Sequence, residues 1–155
     1  MKPWVTSRRT RALYLFAGEH RQADMGAVLQ SAILEFNALD HACEYKVIVD
    51  EVDILRGGEA HDLRDPRRQE HFLERIAAGD WEIVMAAPPC SAYSRATFTK
   101  DGGPKPVRDR QWPEGFPWLD TRSRIHVQEA TGLINFALRC TAGGRSHVHG
   151  LPRIP

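Results

Sequence analysis

WEIVMAAPPCSAYSR, residues 81–95, decides how the rest of the chain is read. Ile83, Val84, Met85, Ala86 and Ala87 form a short apolar run that stops at Pro88-Pro89. Bounded by Asp80 and a proline pair, such a run predicts a strand buried on both faces. Successive prolines fix their own φ, and Pro89 also keeps Pro88 out of the helical region. Cys90 therefore sits on a stiffened loop at the carboxyl end of a buried strand, where open parallel sheets place ligands and reactive groups. A thiol on such a shelf can be aimed as a nucleophile. The same position also suits a free cysteine that fills a corner as a small hydrophobe.

Upstream, Ala12 to Phe16 (ALYLF) predicts a first buried strand, preceded by a polar, basic lead-in over residues 1–11. From Arg21 the period changes: Met25, Val28, Leu29, Ala32, Ile33 and Phe36 make one apolar stripe of a helix. Tyr45 to Val49 (YKVIV) reads as a second strand running into an acidic cluster of Asp50, Glu51 and Asp53. Gly57-Gly58 breaks the chain. A helix follows over Arg67 to Ala78, capped by Asp65 and closed by Gly79. Strands alternating with helices at short intervals predict an α/β fold: a doubly wound, mostly parallel sheet with flanking helices, Rossmann-like.

Downstream, Thr99 to Ser123 is rich in breakers (Gly102, Gly103, Pro104, Pro106, Pro113, Gly115, Pro117) and carries Trp112 and Trp118. A structureless stretch of that length is more often functional than accidental, and it is expected to be mobile without ligand and to cover the Cys90 loop when a partner is bound. Its tryptophans with Phe116, Lys105, Arg108 and Arg110 suit stacking and phosphate contact; simple packing over the core is the other reading. Arg124 to Cys140 returns to a helical stripe, and residues 141–155 form an irregular tail.

A length of 155 residues is one domain's worth, and 42% hydrophobic with 26% charged residues is ordinary for a globular protein. The formal net charge of +1 argues neither for nor against nucleic acid. Three widely spaced cysteines, Cys43, Cys90 and Cys140, exclude a disulfide framework and a C-x-x-C zinc site. With no run of membrane-span length and no export signal, a cytoplasmic location without membrane contact is expected. His147 and His149 lack a third ligand for a metal. Cys90 and Arg95 stand one residue too close for a cysteine-phosphatase loop.

Four places carry candidate chemistry. Phe16-Ala17-Gly18-Glu19 forms a tight turn after strand one, with a glycine permitting close backbone approach, but neither G-x-G-x-x-G nor a P-loop is present. A carboxylate ending strand two, Asp50 or Glu51, is placed to accept ribose hydroxyls or to be a solvated turn. Asp62 after the glycine pair either caps a helix or accepts an adenine amino group. The fourth is Cys90.

In this order the residues resemble the C5-cytosine DNA methyltransferases of the class I S-adenosylmethionine-dependent fold. LFAG at 15–18 looks like that family's first motif, Asp62-Leu63 like its adenine-contacting turn, and PPCSAYS at 88–94 like its nucleophile loop. APPCSAYSRA followed by FPWL is also similar to a methyltransferase-like group of unassigned substrate. The resemblance implies S-adenosylmethionine as cofactor and DNA as partner. It places Phe16, Ala17, Gly18, Glu19 and Pro88 beside the methionine end and sulfonium, Asp50 or Glu51 at the ribose, and Asp62 and Leu63 at the adenine. Cys90 would add to cytosine C6, with Arg95 or helix N-terminal amides after the loop lowering the thiol pKa. The base would have to leave its duplex to reach it.

This sequence departs from the family in lacking the later glycines of the first motif, any Glu-Asn-Val and any Gln-x-Arg-x-Arg. A full fold of the class carries about six or seven strands. Three are legible here, so the chain reads as the N-terminal half. A non-catalytic or truncated binding module is the alternative to an enzyme.

Overall fold

A computed structural model of the chain describes residues 6–39, 43–98 and 103–143. Among them, three strands form one parallel sheet: β1 (Thr6–Leu15), β2 (Cys43–Val52) and β3 (Ile83–Ala86), in the order β2-β1-β3. The helices are α1 (Met25–Leu39), the single turn α2 (Ile54–Gly57), α3 (Pro66–Ala78) and α4 (Thr121–Gly143), with short 3-10 turns at Gly58–His61, Ser91–Tyr93 and Arg95–Phe98. No helix among the described residues is long and apolar enough to cross a membrane. The chain steps from β1 to β2 on one side and then returns past β1 to β3 on the other. The reversal leaves a crevice at the carboxyl ends of β1 and β3, where ligands of open α/β sheets bind.

Strand β1 is central because its second half is apolar on both faces. Ala12, Leu13 and Leu15 are fully buried, each contributing burial of the order that stabilises a core by about 1.5–3 kcal/mol per large side chain. Leu13 and Leu15 join Val52, Leu63, Phe72, Ile76, Trp81, Phe136 and Cys140 in one core. Helix α4 lies over it, packing against α3, β3 and the turn after Cys90.

Two strands are longer than their apolar runs. Residues 6–11, expected as a loose lead-in, form the first half of β1, paired in register from Thr6–Cys43 to Leu15–Val52. Main-chain bonding rather than burial holds this half, and Ser7, Arg8 and Arg9 project polar side chains into solvent. Strand β2 likewise runs three residues past Val49. Its outer edge is covered at Tyr45, whose N–H donates to Asn37 Oδ1 (2.9 Å) and whose carbonyl accepts from Asn37 Nδ2 (2.8 Å). That bond and the edge-on contact of Phe36 with Tyr45 dock α1, although Met25, Val28 and Phe36 of its stripe remain about half exposed.

Helix α3 forms where its caps dictate. Asp65 accepts from Arg67 N at 2.9 Å, Pro66 occupies the first turn, and Gly79 takes the left-handed conformation at φ 83°. Just beyond it Trp81 binds three elements together. Its indole N–H donates to Asp50 Oδ2 at 2.6 Å, and the same oxygen accepts from Arg11 at 2.6 Å. The guanidinium of Arg75 lies 4.5 Å from the ring centre and that of Arg11 5.8 Å.

This junction is testable. Trp81→Phe keeps an aromatic ring but strips a donor from Asp50, and urea unfolding should show a loss of about 1–3 kcal/mol. An unchanged unfolding midpoint would mean that the Trp81–Asp50 bond contributes nothing to stability.

Candidate active site

After Leu15 the chain turns sharply. Phe16 adopts φ 63°, a left-handed conformation uncommon for a residue with a side chain, and Gly18 follows at φ 71°. Phe16 is held there by its N–H, which donates to Val52 O at 2.8 Å, and by an edge-on contact of its ring with Phe136 of α4. Such strain persists only where the surroundings over-determine it, and it concentrates at functional sites. Gly18 N–H donates to Asp53 Oδ2 (2.9 Å), while Asp53 Oδ1 caps α2 by accepting from Leu55 N (2.9 Å). One carboxylate thus ties the loop after β1 to the loop after β2.

Arg56 ties them a second time. Its side chain is only 7% exposed; Nε donates to Gly18 O at 2.7 Å, one terminal nitrogen to Glu51 Oε2, and the other to Asp24 Oδ2 at 3.2 Å. Asp24 in turn caps α1 through Ala27 N (2.9 Å), and these bonds, Ala27 N–H first, hold its carboxyl below the usual range. Gly26 is required beside it: a Cβ there would come within 2.8 Å of Glu51 Oε1. Among the described residues, His20, Asp24 and Glu51 have ligand atoms within 4.8 Å of one another, a spacing suited to a cation. The Arg56 guanidinium already supplies the positive charge there.

The acidic end of β2 therefore differs from expectation. Asp50 is engaged by Arg11 and Trp81, and Glu51 by Arg56, so neither is presented to the crevice. Asp53 takes that place. It lines a cavity of about 350 Å³ together with Phe16, Ile54, Leu63 and Leu133, closed on the β3 side by Ala87 and Pro89. A carboxylate has about four acceptor sites, so Asp53 keeps capacity for ligand hydroxyls after two backbone bonds. Pro89, rather than Pro88, contributes the proline wall. Ala17 and Glu19 lie in the turn as backbone: Ala17 N–H donates to Val52 O (3.3 Å), and Glu19 O accepts from Arg56 (3.5 Å).

Asp62 and Leu63 do reach this cavity, Leu63 as a buried wall. Asp62 arrives paired: both its oxygens accept from Arg64, at 2.9 Å from Nε and 2.8 Å from a terminal nitrogen. That pairing keeps the Asp62 carboxyl below its ordinary range. His61, which sequence reasoning missed, also lines the cavity, and its Nδ1 is buried without a partner.

Cys90 is exposed and starts the 3-10 turn Ser91–Tyr93. Its sequence neighbours line two cavities, Pro89 the smaller one and Ala92, Tyr93 and Ser94 a larger one of about 890 Å³, although Cys90 itself lines neither. The Arg95 side chain lies outside the described residues, as do residues 99–102 and the tail from 144, with His147 and His149. Arg108, expected to meet phosphate, is instead 7% exposed. It donates to Pro113 O (3.0 Å), Val127 O (3.0 Å) and Thr131 Oγ1 (3.1 Å), and stacks on Tyr93 at 3.8 Å. Arg108 thereby ties the described part of the 99–123 segment to α4.

The thiols differ sharply in setting. Cys140 is fully buried, and desolvation pushes its pKa up to about 11 against the opposing charge of Arg139. Cys43 is half-buried. A slow alkylating reagent near neutral pH should label Cys90 first, as read by peptide mapping, and labelling of Cys140 first would refute this. Because its folded pKa is raised, the stabilisation from Cys140 is complete below pH 9.0 and lost as the pH climbs to about 11. Cys140→Ala should flatten that part of the stability profile.

Compared with family models, with curated proteins and with solved structures, the chain finds no match.

Proposed function

We propose that this chain is an S-adenosylmethionine-dependent methyltransferase-type domain of doubly wound α/β fold, similar to the C5-cytosine DNA methyltransferases, with Cys90 as the nucleophile toward cytosine. One observation carries the reading. The loops after all three strands meet at one crevice, where Phe16, Asp53 and Pro89 line a single cavity and Cys90 is next in sequence to that wall.

The residues present fit the cofactor. A volume of about 350 Å³ lies within the range of small-molecule sites. Phe16, Ile54, Leu63 and Leu133 offer apolar surface for an adenine, and Asp53 offers acceptor capacity for ribose hydroxyls. Bound there, the sulfonium would supply an electrophilic methyl group. The work of the protein is then done by Cys90. Its thiolate adds to C6 of the base, and the electron pair of the C5–C6 bond becomes available at C5. Once C5 had taken up the methyl group that the sulfonium would supply, loss of the C5 proton to solvent and expulsion of the thiolate would restore the ring.

A second reading, a binding module without catalysis, rests on a specific observation: no Glu-Asn-Val follows Cys90, so the ring nitrogen lacks the family's proton donor. Calorimetric titration with S-adenosylhomocysteine tests what both readings share. Binding at micromolar affinity or weaker is expected, with Asp53→Ala weakening it about tenfold or more and Asp50→Asn leaving it nearly unchanged. No heat at millimolar ligand would contradict the cofactor site. Covalent capture of DNA containing 5-fluorocytosine then separates the readings: an adduct at Cys90 supports the enzyme, and cofactor binding without an adduct supports the module.

A further inference from the structure

The segment joining the Cys90 loop to α4 displays aromatic rings that packing does not explain. Trp118 is 70% exposed, yet its ring stacks on Phe116 with centres 4.9 Å apart and planes within 7°. Trp112 meets the same ring edge-on at 6.3 Å. A core tryptophan hides its faces, whereas here one large face is turned outward and held still. The rigidity comes from below. Phe116 N–H donates to Val107 O (3.0 Å), Gly115 N–H to Trp112 O (3.1 Å) and Leu119 N–H to Phe116 O (3.2 Å). Gly115 is required at φ 105°, where a Cβ would stand 3.2 Å from both Leu119 and Val127. Buried Arg108 fastens the whole turn to α4.

Charge around this face is mixed but leans positive, with Arg108 among its cations buried. Residues 103–124 contain five cationic side chains against three acidic ones, in a chain whose net charge is only +1. Two of the three acids are held by local hydrogen bonds while keeping their charge: Asp109 accepts from Gln111 N and Trp112 N, and Asp120 from Ser123. Arg110, Arg122 and Arg124 are exposed, and Arg124 donates to Leu119 O at 3.2 Å, one residue from Trp118. Arg110, Gln111 and Pro113 of the same segment form one wall of the larger cavity beside Cys90.

We propose that the Trp112–Phe116–Trp118 face is a stacking platform for an unpaired nucleic-acid strand, whose phosphates meet Arg110, Arg122 and Arg124 and whose neighbouring base enters the larger cavity. This rests on the cytosine reading for the base at Cys90 but not for the platform itself. A pre-stacked aromatic face gains area only from a base whose own π-face is free, which a duplex denies and a single strand provides. Exposed guanidinium groups add attraction that weakens with salt. Unpaired DNA and unpaired RNA share this chemistry.

Fluorescence anisotropy with a labelled cytosine-containing oligonucleotide, as single-stranded DNA, as the same sequence in RNA and as duplex DNA, tests the proposal on the full chain. Either single strand should bind at least about tenfold more tightly than duplex and quench tryptophan emission. Trp118→Ala should cost about tenfold or more in that affinity, Trp118→Phe should recover most of it, and S-adenosylhomocysteine binding should be unaltered in both variants. The tighter of the DNA and RNA arms identifies the strand. Unchanged affinity in Trp118→Ala, equal binding of duplex, or no oligonucleotide binding at all, as for a face that docks a protein, would overturn it. Strand binding through Trp118 in a protein that takes no cofactor would sustain the platform and reject the methyltransferase reading.

Discussion

The guanidinium of Arg56 is the constraint on which the crevice depends. It is nearly buried and reaches the carbonyl of Gly18, the carboxylate of Glu51 and the carboxylate of Asp24 together. Five donors in a rigid fork suit that task, and a lysine's compact ammonium does not. Removing one partner of a buried charge network costs more than the network contributes, because the remaining charges lose both water and partner. Two carboxylates packed against the first turn of α1 would then face each other. The turn after β1 would lose the bond that fixes Gly18, and with it the position of Asp53, whose Oδ2 accepts from the Gly18 amide. Where a dinucleotide fold relies on successive glycines to shape this turn, here an arginine and an aspartate from the far side of β2 do so.

That substitution explains why the sequence was only partly legible. The apolar runs at 12–16 and 83–87 and the capped helix from Arg67 to Ala78 follow from local pattern, and strands and a helix stand there, although β3 is an edge of the described sheet with Ile83 exposed rather than a strand buried on both faces. The ends of β1 and β2 were not legible, because Arg8 and Arg9 at the start of β1 stand in solvent and the acids ending β2 find partners that no local pattern reveals. Asp50 is balanced by Arg11 and Trp81, and Glu51 by Arg56, so a stretch that looks like a solvated acidic turn is the last part of a strand. Ending β2 at Val49 instead of Val52 pointed to Asp50 and Glu51 as the carboxylates facing the crevice, whereas Asp53 lines its cavity. The rule that the acid follows the strand directly would have selected Asp53 once the strand's true end was known.

Arg108 misled for a related reason. An arginine among prolines and tryptophans reads as a phosphate contact, but α4 offers it the carbonyl of Val127 and the hydroxyl of Thr131. Buried there, it makes rigid what composition alone marks as loose. Helix α4 thereby serves both cavities. Leu133 lines the smaller one and Phe136 supports the strained Phe16, while Val127 and Thr131 anchor the segment that walls the larger one. Cys90 follows the proline that walls the smaller cavity and is exposed.

The central claim is that the crevice between the ends of β1 and β3 binds a nucleoside-bearing cofactor through Asp53 and the loop that Arg56 holds. Backbone amide shifts of the uniformly labelled protein, followed by NMR as S-adenosylhomocysteine is added, address it most directly. The account predicts that the largest changes fall on Phe16, Gly18, Asp53 and Leu63, with Gly18 moving because its N–H shares the Asp53 carboxylate. Changes confined to α1 or to the segment after residue 103, or none at saturating ligand, would contradict it.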